Sequence, residues 1–395
     1  MHIILFEDNF RHQFLPLVFT RPVGELRVGI RTLSQQWKAL LPSSTLCHAT
    51  EDHLEDAFPL RIESENLLIN ARVLPTAELQ AHLTKLEIGT ALYLGDELIA
   101  AKLSEADTTQ WQSKREFPSN LKSIAVGAKM LTHITQLFAW NELAIRTEFE
   151  RMNKRESAPI SSTVTVIGDK SLVFIEDGAS VEGCWLNTKK GPIYIGKDAT
   201  VMEASVIYGP FALCEHATVK AGAKIYGATT IGPHSKVGGE VSNSVIQGYS
   251  NKAHDGFLGN SIIGEWCNIG ADTNTSNLKN NYSDVSIWNY EDKAYPSSGL
   301  TFCGLIMGDH SKCGINTMFN TGTVVGVNAN IFGSGFPPKF IPSFSWGGAS
   351  GFVEYDFHKA LEVAEKVMAR RKIKLGSQDQ SILRHIFDTS AHFRS

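Results

Sequence analysis

Residues 195–237 read IGKDATVMEASVIYGPFALCEHATVKAGAKIYGATTIGPHSKV, and every sixth residue of this stretch is aliphatic. The aliphatic positions are Ile195, Val201, Ile207, Leu213, Val219, Ile225, Ile231 and Val237. A period of six matches neither a helix, which repeats every 3.6 residues, nor an ordinary strand, which repeats every two. It matches a β-helix, in which each hexapeptide forms one short face of a coil and turns one residue inward. Eight consecutive matches argue against chance, so we predict a β-helix here.

The residues between the aliphatic positions follow the same period. The fourth residue after each is usually small, as at Ala199, Ser205, Ala217, Ala223, Thr229 and Ser235. Glycine often follows the aliphatic residue directly, as at Gly196, Gly232, Gly264, Gly270, Gly314 and Gly326. The period returns at Ile263, Ile269, Met307, Cys313, Phe319, Val325 and Ile331. We expect the small residues to let the chain turn each corner and the glycines to relax the backbone there.

The composition narrows the class of protein. A chain of 395 residues is expected to form two or three units, and 43% hydrophobic residues indicate a globular protein. The net charge of −4, without basic runs, argues against nucleic acid as a partner. No apolar stretch has the length of a signal peptide or a membrane span. The six cysteines are scattered without a CxxC pair, which predicts reduced thiols, no structural metal site and a cytoplasmic location.

We expect the chain to divide into three segments. Residues 1–155 alternate strand and helix patterns and predict an α/β domain, residues 160–345 hold the β-helix, and residues 350–395 form a short helical tail. The polar stretch RMNKRES at residues 151–157 marks the first boundary. The predicted strands of the first domain are 2–6, 66–69 and 90–94, and its predicted helices are 24–41 and 137–152. The predicted tail helices are 356–371 and a second one after a capping box of Ser377 and Gln380.

The hexapeptide period breaks twice. The first break is QGYSNKAHDGFLGN at residues 247–260, and the second is SNLKNNYSDVSIWNYEDKAYPSSGLTFCG at residues 276–304. Loops that interrupt a rigid repeat are where functional residues are commonly placed. We therefore look for a site in or beside these two segments.

Two stretches carry a resemblance to a known family. They are LPLVFTRPVGELRVGIRT at residues 15–32 and KIYGATTIGPHSKVGGEVSNSVIQGYSNKAHDGFLGNSIIGEWCNIGADTNTSNLKNNY at residues 224–282. The whole chain resembles sugar nucleotidyltransferases of the glucose-1-phosphate thymidylyltransferase-like kind. Its β-helix resembles that of the bifunctional UDP-N-acetylglucosamine pyrophosphorylase and glucosamine-1-phosphate acetyltransferase enzymes. The resemblance implies a nucleotidyltransferase-like, Rossmann-like α/β domain, a left-handed parallel β-helix and a short α-helical tail.

The resemblance also implies an acyl-transfer site in the β-helix. The acetyltransferases have a catalytic histidine followed by leucine-glycine and then by I-G-x-x-x-N-I-G-A. In this chain His254, the pair Leu258 and Gly259, and residues 263–271 stand in the same register. An imidazole suits the role of general base toward a sugar amine because imidazoles titrate near neutral pH. A surface histidine that only supports its loop is the alternative.

Further site residues follow from the same resemblance. It implies that Asn268 and Asn277 contact the sugar, that Lys236 binds the sugar phosphate, and that Ala271 lines the groove for acetyl-CoA. Lys236 stands where the family has an arginine, so it supplies the charge without a bidentate fork. A solvated lysine at a corner of the β-helix is the alternative for Lys236.

The chain departs from the family at three positions of this site. Phe257 replaces a tyrosine and lacks its hydroxyl group, and Ile315 replaces a serine near the acyl-CoA sulfur. A family lysine falls near Ser242 or Asn243, although Lys252 is close by and is a candidate for the same charge. These changes alter the polarity of the pocket and leave the identity of the acceptor sugar open.

The N-terminal domain departs further from its family. ILFEDNFRHQFLPL at residues 4–17 replaces the glycine-rich loop whose backbone N–H groups hold the nucleotide phosphates. A phosphate cradle here would need Arg11 or His12. The resemblance places Arg21 at the family's phosphate-binding lysine, and we expect Arg21 and Arg27 to bind phosphate. Structural salt bridges are the alternative for both arginines.

The usual magnesium ligand is also replaced. Family enzymes bind Mg²⁺ through an aspartate at a strand end, where this chain has the sequence NAR at residues 70–72. Asp96 lies on a nearby predicted strand, although a turn aspartate is the simpler interpretation. The domain therefore resembles a nucleotidyltransferase that lacks its usual catalytic groups, and use of Mg²⁺ with a nucleoside triphosphate stays open.

Three functions are compatible with these features. The first is a transferase that acts on a sugar phosphate or nucleotide sugar, with acetyl-CoA as acyl donor and His254 as base. The second is a catalytically degenerate trimeric scaffold or nucleotide-sugar binder. The third is a β-helix carbonic anhydrase, which the absence of a closely spaced histidine pair disfavours. The resemblance implies a homotrimer with sites between neighbouring coils.

Overall fold

The computed structural model describes residues 1–152 and 156–394. The chain forms two compact units. The first unit comprises residues 1–14, 20–26 and 31–134, and the second comprises residues 15–19, 27–30 and those from 135 onward. The boundary expected from the sequence falls on residues 153–155, which lie outside the described residues. The helical stretch before it was expected in the first domain, whereas the structure groups it with the second unit.

The first unit is built on a mixed sheet. Its strands are β1 (His2–Phe6), β2 (Thr45–Ala49), β3 (Glu65–Asn70), β4 (Thr90–Leu94), β5 (Glu97–Ser104) and β6 (Lys122–Ala125). They lie in the order β2-β1-β3-β5-β4-β6, with β5 antiparallel to both of its neighbours. β1 is buried along its whole length because it pairs with β2 and β3 in parallel. The carboxyl ends of β1, β2 and β3 therefore meet at one edge of the sheet.

Helices cover this sheet. The α-helices of the first unit are α1 (Leu33–Leu40), α2 (Asp52–Glu55), α3 (Ala77–Leu83) and α4 (Glu105–Lys114), and its 3₁₀ turns are Asn9–Phe14 and Val23–Glu25. The predicted helix at 24–41 was wrong in its first half. α1 starts only after Thr32, whose hydroxyl accepts the Gln35 N–H while the Gln35 side chain accepts the Thr32 N–H. This capping box stops the helix from extending backward.

The second unit contains the predicted β-helix. Its first face is formed by Thr165–Ile167, Trp185–Asn187, Val206–Tyr208, Lys224–Tyr226, Glu240–Ser242 and Phe257–Gly259. Its second face is formed by Val173–Ile175, Ile193–Ile195, Phe211–Leu213, Thr229–Ile231, Val245–Gly248, Ile262–Glu265, Ile306–Met307, Val324–Val325 and Phe340–Ile341. Its third face is formed by Ser180–Val181, Thr200–Val201, Thr218–Val219, Lys236–Val237, Asn251–Lys252, Asn268–Ile269, Lys312–Cys313, Asn330–Ile331, Ser345–Gly348 and Gly351–Glu354.

The strands of each face pair in parallel from coil to coil. The exception is the final hairpin of Ser345–Gly348 and Gly351–Glu354, which is antiparallel. Asn274–Thr275 and Met318–Phe319 form a further parallel pair that continues the first face, because Asn274–Thr275 stacks on Phe257–Gly259 through the Thr275 hydroxyl and the Phe257 carbonyl at 3.2 Å. Stacked coils with three parallel faces are typical of a left-handed β-helix, so the predicted fold class is confirmed.

The inward positions form one continuous apolar core. Every aliphatic residue of the quoted repeat is at most 1% exposed, and each such burial contributes about 1.5–3 kcal/mol to folding. The small residues at the corners are 0% exposed, as predicted. One inward position is not apolar: Lys252 pairs in register with Val237 and continues the same column.

The role assigned to the repeat glycines was wrong. The left-handed backbone at the corners belongs to the third residue after the inward one, such as Asp198, His216 and His234, with φ of 54–57°. Space instead requires five of the six repeat glycines, the exception being Gly314, whose Cβ position has only ordinary contacts at 3.6 Å. A Cβ atom at Gly232 would lie 2.1 Å from the carbonyl oxygen of Gln247 on the next coil. Close stacking of coils, rather than a strained turn, selects glycine there.

The two expected interruptions differ. Residues 247–260 do not leave the β-helix, because Asn251–Lys252 and Phe257–Gly259 occupy the third and first faces. The period only slips, through a short turn at residues 253–256. Residues 276–304 do leave it, and they form an excursion closed by bridges such as Ser286 with Ser297.

The second unit also carries helices. They are α5 (Gln136–Ala139), α6 (Asn141–Met152), α7 (Phe357–Ala369) and α8 (Ser377–Thr389), with 3₁₀ turns at Leu17–Phe19, Lys170–Leu172 and Ala391–Phe393. The single helix predicted at 137–152 is broken at Trp140, whose φ and ψ are −101° and 5°. The predicted Ser377–Gln380 capping box was displaced by one residue. Gly376 is the N-cap, and its N–H donates to Asp379 at 2.8 Å.

Candidate functional site

The turn at residues 253–256 presents His254 to solvent. The imidazole is exposed and makes no hydrogen bond to the described residues, while the His254 carbonyl accepts the Lys252 ammonium at 2.5 Å. The same ammonium donates to the Asp255 carbonyl at 3.3 Å. Lys252 is 2% exposed, and burial lowers its pKa to about 8. The turn is thus tied from inside the β-helix, and its histidine faces outward.

Neighbouring coils hold the same turn from both sides. A Cβ atom at Gly239, where φ is +69°, would lie 2.8 Å from the Asp255 Cα. A Cβ atom at Gly256, where φ is +112°, would lie 2.2 Å from the Thr273 carbonyl oxygen. Both positions therefore exclude any side chain, because the backbone angle and the space are unsuitable together. The backbone of the turn is thus held by close contacts with both neighbouring coils, while the His254 and Asp255 side chains are exposed.

The prediction that Lys252 binds substrate was wrong. Its ammonium lies inside the coil and uses its donors on two backbone carbonyls of the turn. Lys252 therefore positions the turn that carries His254. The sequence did not indicate this role. The hexapeptide period slips at this point, so Lys252 was assigned to a loop and not to an inward position.

Lys236 and Asn268 lie together on the third face. Register pairs Lys236 with Asn251, Asn251 with Asn268 and Asn268 with Lys312, so these four residues form one outward row. The Asn251 amide donates to the Asn268 Oδ1 at 2.9 Å, which leaves the Asn268 amide hydrogens for a ligand. Sequence reasoning missed Asn251 and Lys312. Each of them directly precedes an inward residue. The sequence pattern could have identified Lys312, because Cys313 was already recognised as an inward position of the repeat.

Phe257 and Asn277 form a second group. Phe257 begins the last strand of the first face, and its N–H donates to Asn274 Oδ1 at 2.9 Å. The Asn277 amide donates to Asn260 Oδ1 at 2.8 Å. The Phe257 ring and the Asn277 amide both lie against the open side of Gly259. The structure thus brings Phe257 and Asn277 together, at the other end of the turn from Lys236 and Asn268.

Ala271 lies at the next corner of the β-helix. It is half-buried, and its carbonyl accepts the Asn316 N–H at 2.8 Å. Gly270 and Gly314 stack so closely that a Cβ atom on Gly270 would lie 2.4 Å from the Gly314 carbonyl. Ile315, which follows Gly314, is 69% exposed. A small residue beside an exposed aliphatic one leaves an apolar shelf at this corner.

Arg27 does not meet the expectation of a phosphate-binding residue. It is 5% exposed, its Nε donates to the Gln247 carbonyl at 3.1 Å, and its Nη1 donates to the Ile30 carbonyl. The Gln247 side chain in turn accepts the Arg27 N–H at 2.7 Å. These contacts hold Nε and Nη1 of Arg27 on carbonyl groups inside the second unit. Burial and these bonds give Arg27 a structural explanation without a phosphate, through carbonyl oxygens rather than through the salt bridge that was the alternative.

Arg21 is also buried, with 7% exposure, and belongs to the first unit. It lies near Glu25, whose carboxylate accepts His48 Nε2 at 2.9 Å and the Ser34 hydroxyl at 2.5 Å. Burial alone would raise the pKa of Glu25, but the hydrogen bond and charge of His48, with Ser34 and Arg21, hold it below the usual value. A buried arginine in such a network has a structural explanation without a phosphate.

The segment that replaces the glycine-rich loop is held by its own carboxylates. Glu7 accepts the Arg11 Nε at 3.1 Å, the Val23 N–H at 2.6 Å and the Thr50 hydroxyl. Asp8 accepts the Phe10 N–H at 3.0 Å. The loop is thereby fixed as a 3₁₀ turn rather than as an open cradle of N–H groups.

Arg72 lies between two acidic side chains at the end of β3. It donates to Asp8 through Nε at 2.9 and 3.0 Å and through Nη2 at 2.5 Å, and to Glu97 at 2.9 Å. Its guanidinium also lies 4.4 Å from the Phe10 ring centre and is 1% exposed. A fixed positive charge therefore already stands where the family's magnesium ligand was expected. Asp8 and Glu97 thus do not fit a divalent cation, because both carboxylates already bind the Arg72 guanidinium, whose positive charge occupies the space between them.

An open cavity of about 650 Å³ lies at the carboxyl ends of β1 and β2. Its lining includes Glu7, Asp8, Arg11, His12 and Arg115. Such strand ends are where ligands bind in open α/β sheets. Arg11 and His12, which the sequence suggested for phosphate contact, do line this cavity. Asp96 is not among its lining residues.

His216, His234 and His310 belong to a ladder of stacked rings along the β-helix. His216 and His234 stack at 4.7 Å, followed by Tyr249 at 4.9 Å and Trp266 at 4.2 Å. His310 continues the ladder at 6.3 Å from Trp266. Within the described residues no group of three or more His, Cys, Asp or Glu side chains has the geometry of a metal site. The ladder is a consequence of ring side chains at successive corners.

Comparison with known sequences supports the resemblance. Residues 3–157 match the sequence model of a family described as sugar nucleotidyl transferase. A bifunctional sugar-1-phosphate nucleotidylyltransferase/acetyltransferase of Sulfurisphaera tokodaii is 33% identical over 165 residues, which cover 41% of this chain and 40% of that protein. The bifunctional protein GlmU of Methanocaldococcus jannaschii is 37% identical over 136 residues, which cover 34% of this chain and 29% of GlmU. The chain therefore spans less than half the length of these relatives.

Solved structures of acyltransferases match this chain at low similarity. UDP-N-acetylglucosamine acyltransferase from Arabidopsis aligns with 55% of this chain and 79% of its own, at 15% identity and a TM-score of 0.21. The corresponding enzyme from Campylobacter jejuni aligns with 60% of this chain and 95% of its own, at 16% identity and a TM-score of 0.21. None of the described helices combines the length and apolar character needed to cross a membrane.

Proposed function

We propose that this protein is a sugar-1-phosphate nucleotidyltransferase-like protein whose β-helix unit transfers an acetyl group from acetyl-CoA to a sugar phosphate or nucleotide sugar. The observation that carries the proposal is the turn at residues 253–256. An exposed, unbonded imidazole on a turn fixed by Lys252 and by two obligatory glycines is built for contact with a ligand. The relative from Sulfurisphaera tokodaii carries both activities in its name.

In the proposed reaction His254 acts as general base. The acyl donor supplies an activated acetyl thioester when it is bound. As the amine nitrogen of the acceptor bonds to the acetyl carbon, the imidazole accepts the amine proton, and the proton then passes to the departing thiolate. Asn268 and Lys236 would orient the acceptor through an amide donor and a positive charge. His254 follows Asn251 of their row by three residues, which is at most about 10 Å along the chain.

The corner at Ala271 fits acetyl-CoA as the acyl donor. The small side chain of Ala271 leaves room, and the exposed Ile315 offers an apolar wall. The chain of CoA that leads to the thiol is neutral and largely apolar, which suits such a shelf. Ala271 would therefore contact the donor while His254 faces the acceptor.

The first unit is proposed to bind a nucleotide or sugar phosphate in its cavity without turning it over. Asp8 and Glu97 are both bound to Arg72, so no catalytic step through Mg²⁺ is assigned to this unit. Arg11 and His12 line the cavity and supply the charge for a phosphate. This arrangement is the observation that favours the second candidate function, a degenerate nucleotide-sugar-binding protein.

A homotrimer is proposed for the assembly. Lys236 and Asn268 lie on the third face, whereas Phe257 and Asn277 lie by the first face of the same chain. A substrate that contacts all four needs a groove between two β-helices, and a cyclic trimer supplies three such grooves. We place the protein in the cytoplasm because all six cysteines are buried free thiols.

The test is release of free thiol from acetyl-CoA with a panel of amino-sugar phosphates and nucleotide-linked amino sugars. We expect acceptor-dependent release in the wild type and a loss of about 100-fold or more in His254→Ala. His358→Ala is the matched control, because His358 is another exposed histidine of the same unit. Release without dependence on His254 would contradict the mechanism, and no release with any acceptor would favour the binding protein.

A further inference from the structure

A pocket of about 430 Å³ lies between the third face of the β-helix and helix α7. The β-helix contributes the outward row of Lys236, Asn251, Asn268 and Lys312, together with Tyr249, Trp266 and Cys267. Helix α7 and the two residues after it contribute Val363, Val367, Arg370 and Arg371. The volume lies within the range of small-molecule sites. Both walls belong to the second unit, so the pocket exists within one chain.

The charge of this pocket is one-sided. Two lysines from the β-helix and two arginines from the end of α7 line it, and no carboxylate stands among the described lining residues. Four cations around one cavity repel each other unless an anion joins them. The pocket is therefore matched to a ligand of negative charge.

The arginines stand on the helix face that turns toward the β-helix. Val363, Val367, Arg370 and Arg371 follow the spacing of one helical stripe, so the apolar stripe ends in two cations at the pocket. Cations near a helix C-terminus are common. Here, however, Arg371 is aimed inward, with Nη2 on the His234 carbonyl at 3.1 Å. One guanidinium bond to a carbonyl leaves its other donors for a ligand.

Lys312 is the most confined of the four cations. It donates to the His310 carbonyl at 2.6 Å, and burial lowers its pKa to about 8. The titratable and charged groups that face it are Lys236, Arg370 and Arg371, with the buried Cys267 thiol and the Tyr249 hydroxyl. An ammonium that is desolvated without a carboxylate partner gains more from a bound anion than an exposed lysine does.

The outward row of Lys236, Asn251, Asn268 and Lys312 extends over four coils of the third face. Lys236 and Lys312 are therefore three strand spacings apart. Three spacings correspond to about 14 Å. A diphosphate is longer and more highly charged than a single phosphate group, so it can contact more of this row at once. The stacked rings of Tyr249 and Trp266, 4.2 Å apart, form a rigid corner along the same length.

We infer that this pocket binds the diphosphate of a nucleoside-diphosphate-linked sugar, with Arg370 and Arg371 completing the row of Lys236 and Lys312. The inference rests on the proposed function, because it assigns the acceptor of that reaction to nucleotide-linked sugars rather than free sugar phosphates. CoA also contains a pyrophosphate group, so CoA is the alternative ligand that the same four cations could bind. The helix after the β-helix is thus part of the substrate site, not only a packing element.

Titration calorimetry tests this inference with UDP, a UDP-linked amino sugar, glucosamine-1-phosphate and CoA as probes. We expect the two UDP probes to bind about tenfold or more tightly than the monophosphate, and Arg371→Gln or Lys312→Gln to weaken them about tenfold. Arg370→Gln is a second variant on an exposed side chain that leaves folding intact. Lys359→Gln, on the same helix and away from the pocket, is the control that should change nothing.

Two results would overturn the inference. Equal affinity for the monophosphate and the UDP probes would show that the diphosphate is not recognised. Tight binding of CoA that competes with UDP and depends on Arg371 would assign the pocket to the donor. Thiol release is measured on the same preparations. If Arg371→Gln keeps both its thiol release and its affinity for UDP, the diphosphate pocket is rejected and the proposed acetyl transfer stands. If the protein binds UDP through this pocket but releases no thiol, the pocket stands and the acetyl transfer is rejected.

Discussion

The Lys252 ammonium lies inside the β-helix and donates to the backbone carbonyl of His254, two residues later in the chain. The same column of inward positions is otherwise aliphatic or a thiol, from Val201 to Ile331. A lysine in such a column costs desolvation free energy, which two carbonyl hydrogen bonds offset. The β-helix thereby holds the proposed catalytic histidine from within while its imidazole stays exposed.

Replacing Lys252 by methionine should lower the rate of acetyl transfer while the protein still folds. The variant keeps the apolar stem but leaves the carbonyls of His254 and Asp255 without their donor, so the turn can shift. We expect kcat for thiol release to fall about tenfold or more, with the KM for acetyl-CoA unchanged. Steady-state kinetics checks this prediction. An unchanged kcat would show that the ammonium does not position His254.

Lys252 also predicts a pH-dependent difference in stability. Its folded pKa of about 8 lies below the ordinary lysine value of 10.5, so the unfolded state binds more protons between these two pH values. The wild type therefore gains stability from this group as pH rises through that window, by an amount on the order of 1–3 kcal/mol. Urea unfolding of the wild type and of Lys252→Met at several pH values checks this. The unfolding free energy of the wild type should rise relative to that of the variant from pH 8 upward. A constant difference would contradict the buried ammonium.

Two β-helix glycines with positive φ, one in the turn and one on another coil, should differ in their tolerance of alanine. Gly256 combines φ of +112° with a contact of 2.2 Å to a backbone oxygen, whereas Gly222, with φ of +73°, has nothing near its Cβ position. Gly222→Ala should cost about 1 kcal/mol of unfolding free energy, from backbone strain alone. Gly256→Ala should cost several times as much, because the backbone of the next coil must move. Equal costs would mean that the turn is loosely packed.

The thiols should be inert in the folded protein. All six cysteines are buried, and burial raises the pKa of Cys267 and Cys303 to about 12 and that of Cys184 to about 11. Because thiolates are the reactive form, a thiol reagent should label none of them at pH 8 and all six after unfolding. Counting labels by mass spectrometry checks this. Rapid labelling of Cys303 or Cys313 in the folded state would contradict the described burial.

Arg72 should be essential to the first unit. Its removal leaves the Asp8 carboxylate near Glu97 without a counter-charge, and we expect Arg72→Ala to lose about 2 kcal/mol or more of stability. Added Mg²⁺ should restore part of that loss in the variant and leave the wild type unaffected. The control is Lys102→Ala, which breaks only the more exposed pair with Glu65 and should cost under about 1 kcal/mol. Stabilisation of the wild type by Mg²⁺ would show that the acidic pair still binds metal.

The repeat made the β-helix predictable because one inward residue per face is all that a coil requires. The same rule failed at residues 247–260, where a longer turn shifts the register and an inward lysine interrupts the apolar column. Arg27 shows a different limit. A buried arginine bound to Gln247 and one bound to phosphate look alike in sequence, since only the distant partner distinguishes them.

The row of the proposed site was half predictable. Lys236 and Asn268 were found through a family register, and Lys312 could have been found from its place before an inward residue. Arg370 and Arg371 could not, because which face α7 turns toward the β-helix depends on packing. The start of α1 was also placed too early. Apolar residues with helical spacing occur upstream of the helix, but the Thr32 cap sets its true first residue.

The most direct test of the central claim is chemical rescue of His254→Ala. Thiol release from acetyl-CoA is measured with the best acceptor, with and without added imidazole, and with His358→Ala as control. We predict that the variant loses acceptor-dependent release, that imidazole restores part of it in a concentration-dependent way, and that the control retains wild-type release without any response to imidazole. Full release by His254→Ala, or a loss that imidazole does not relieve although acceptor still binds, would contradict His254 as the general base.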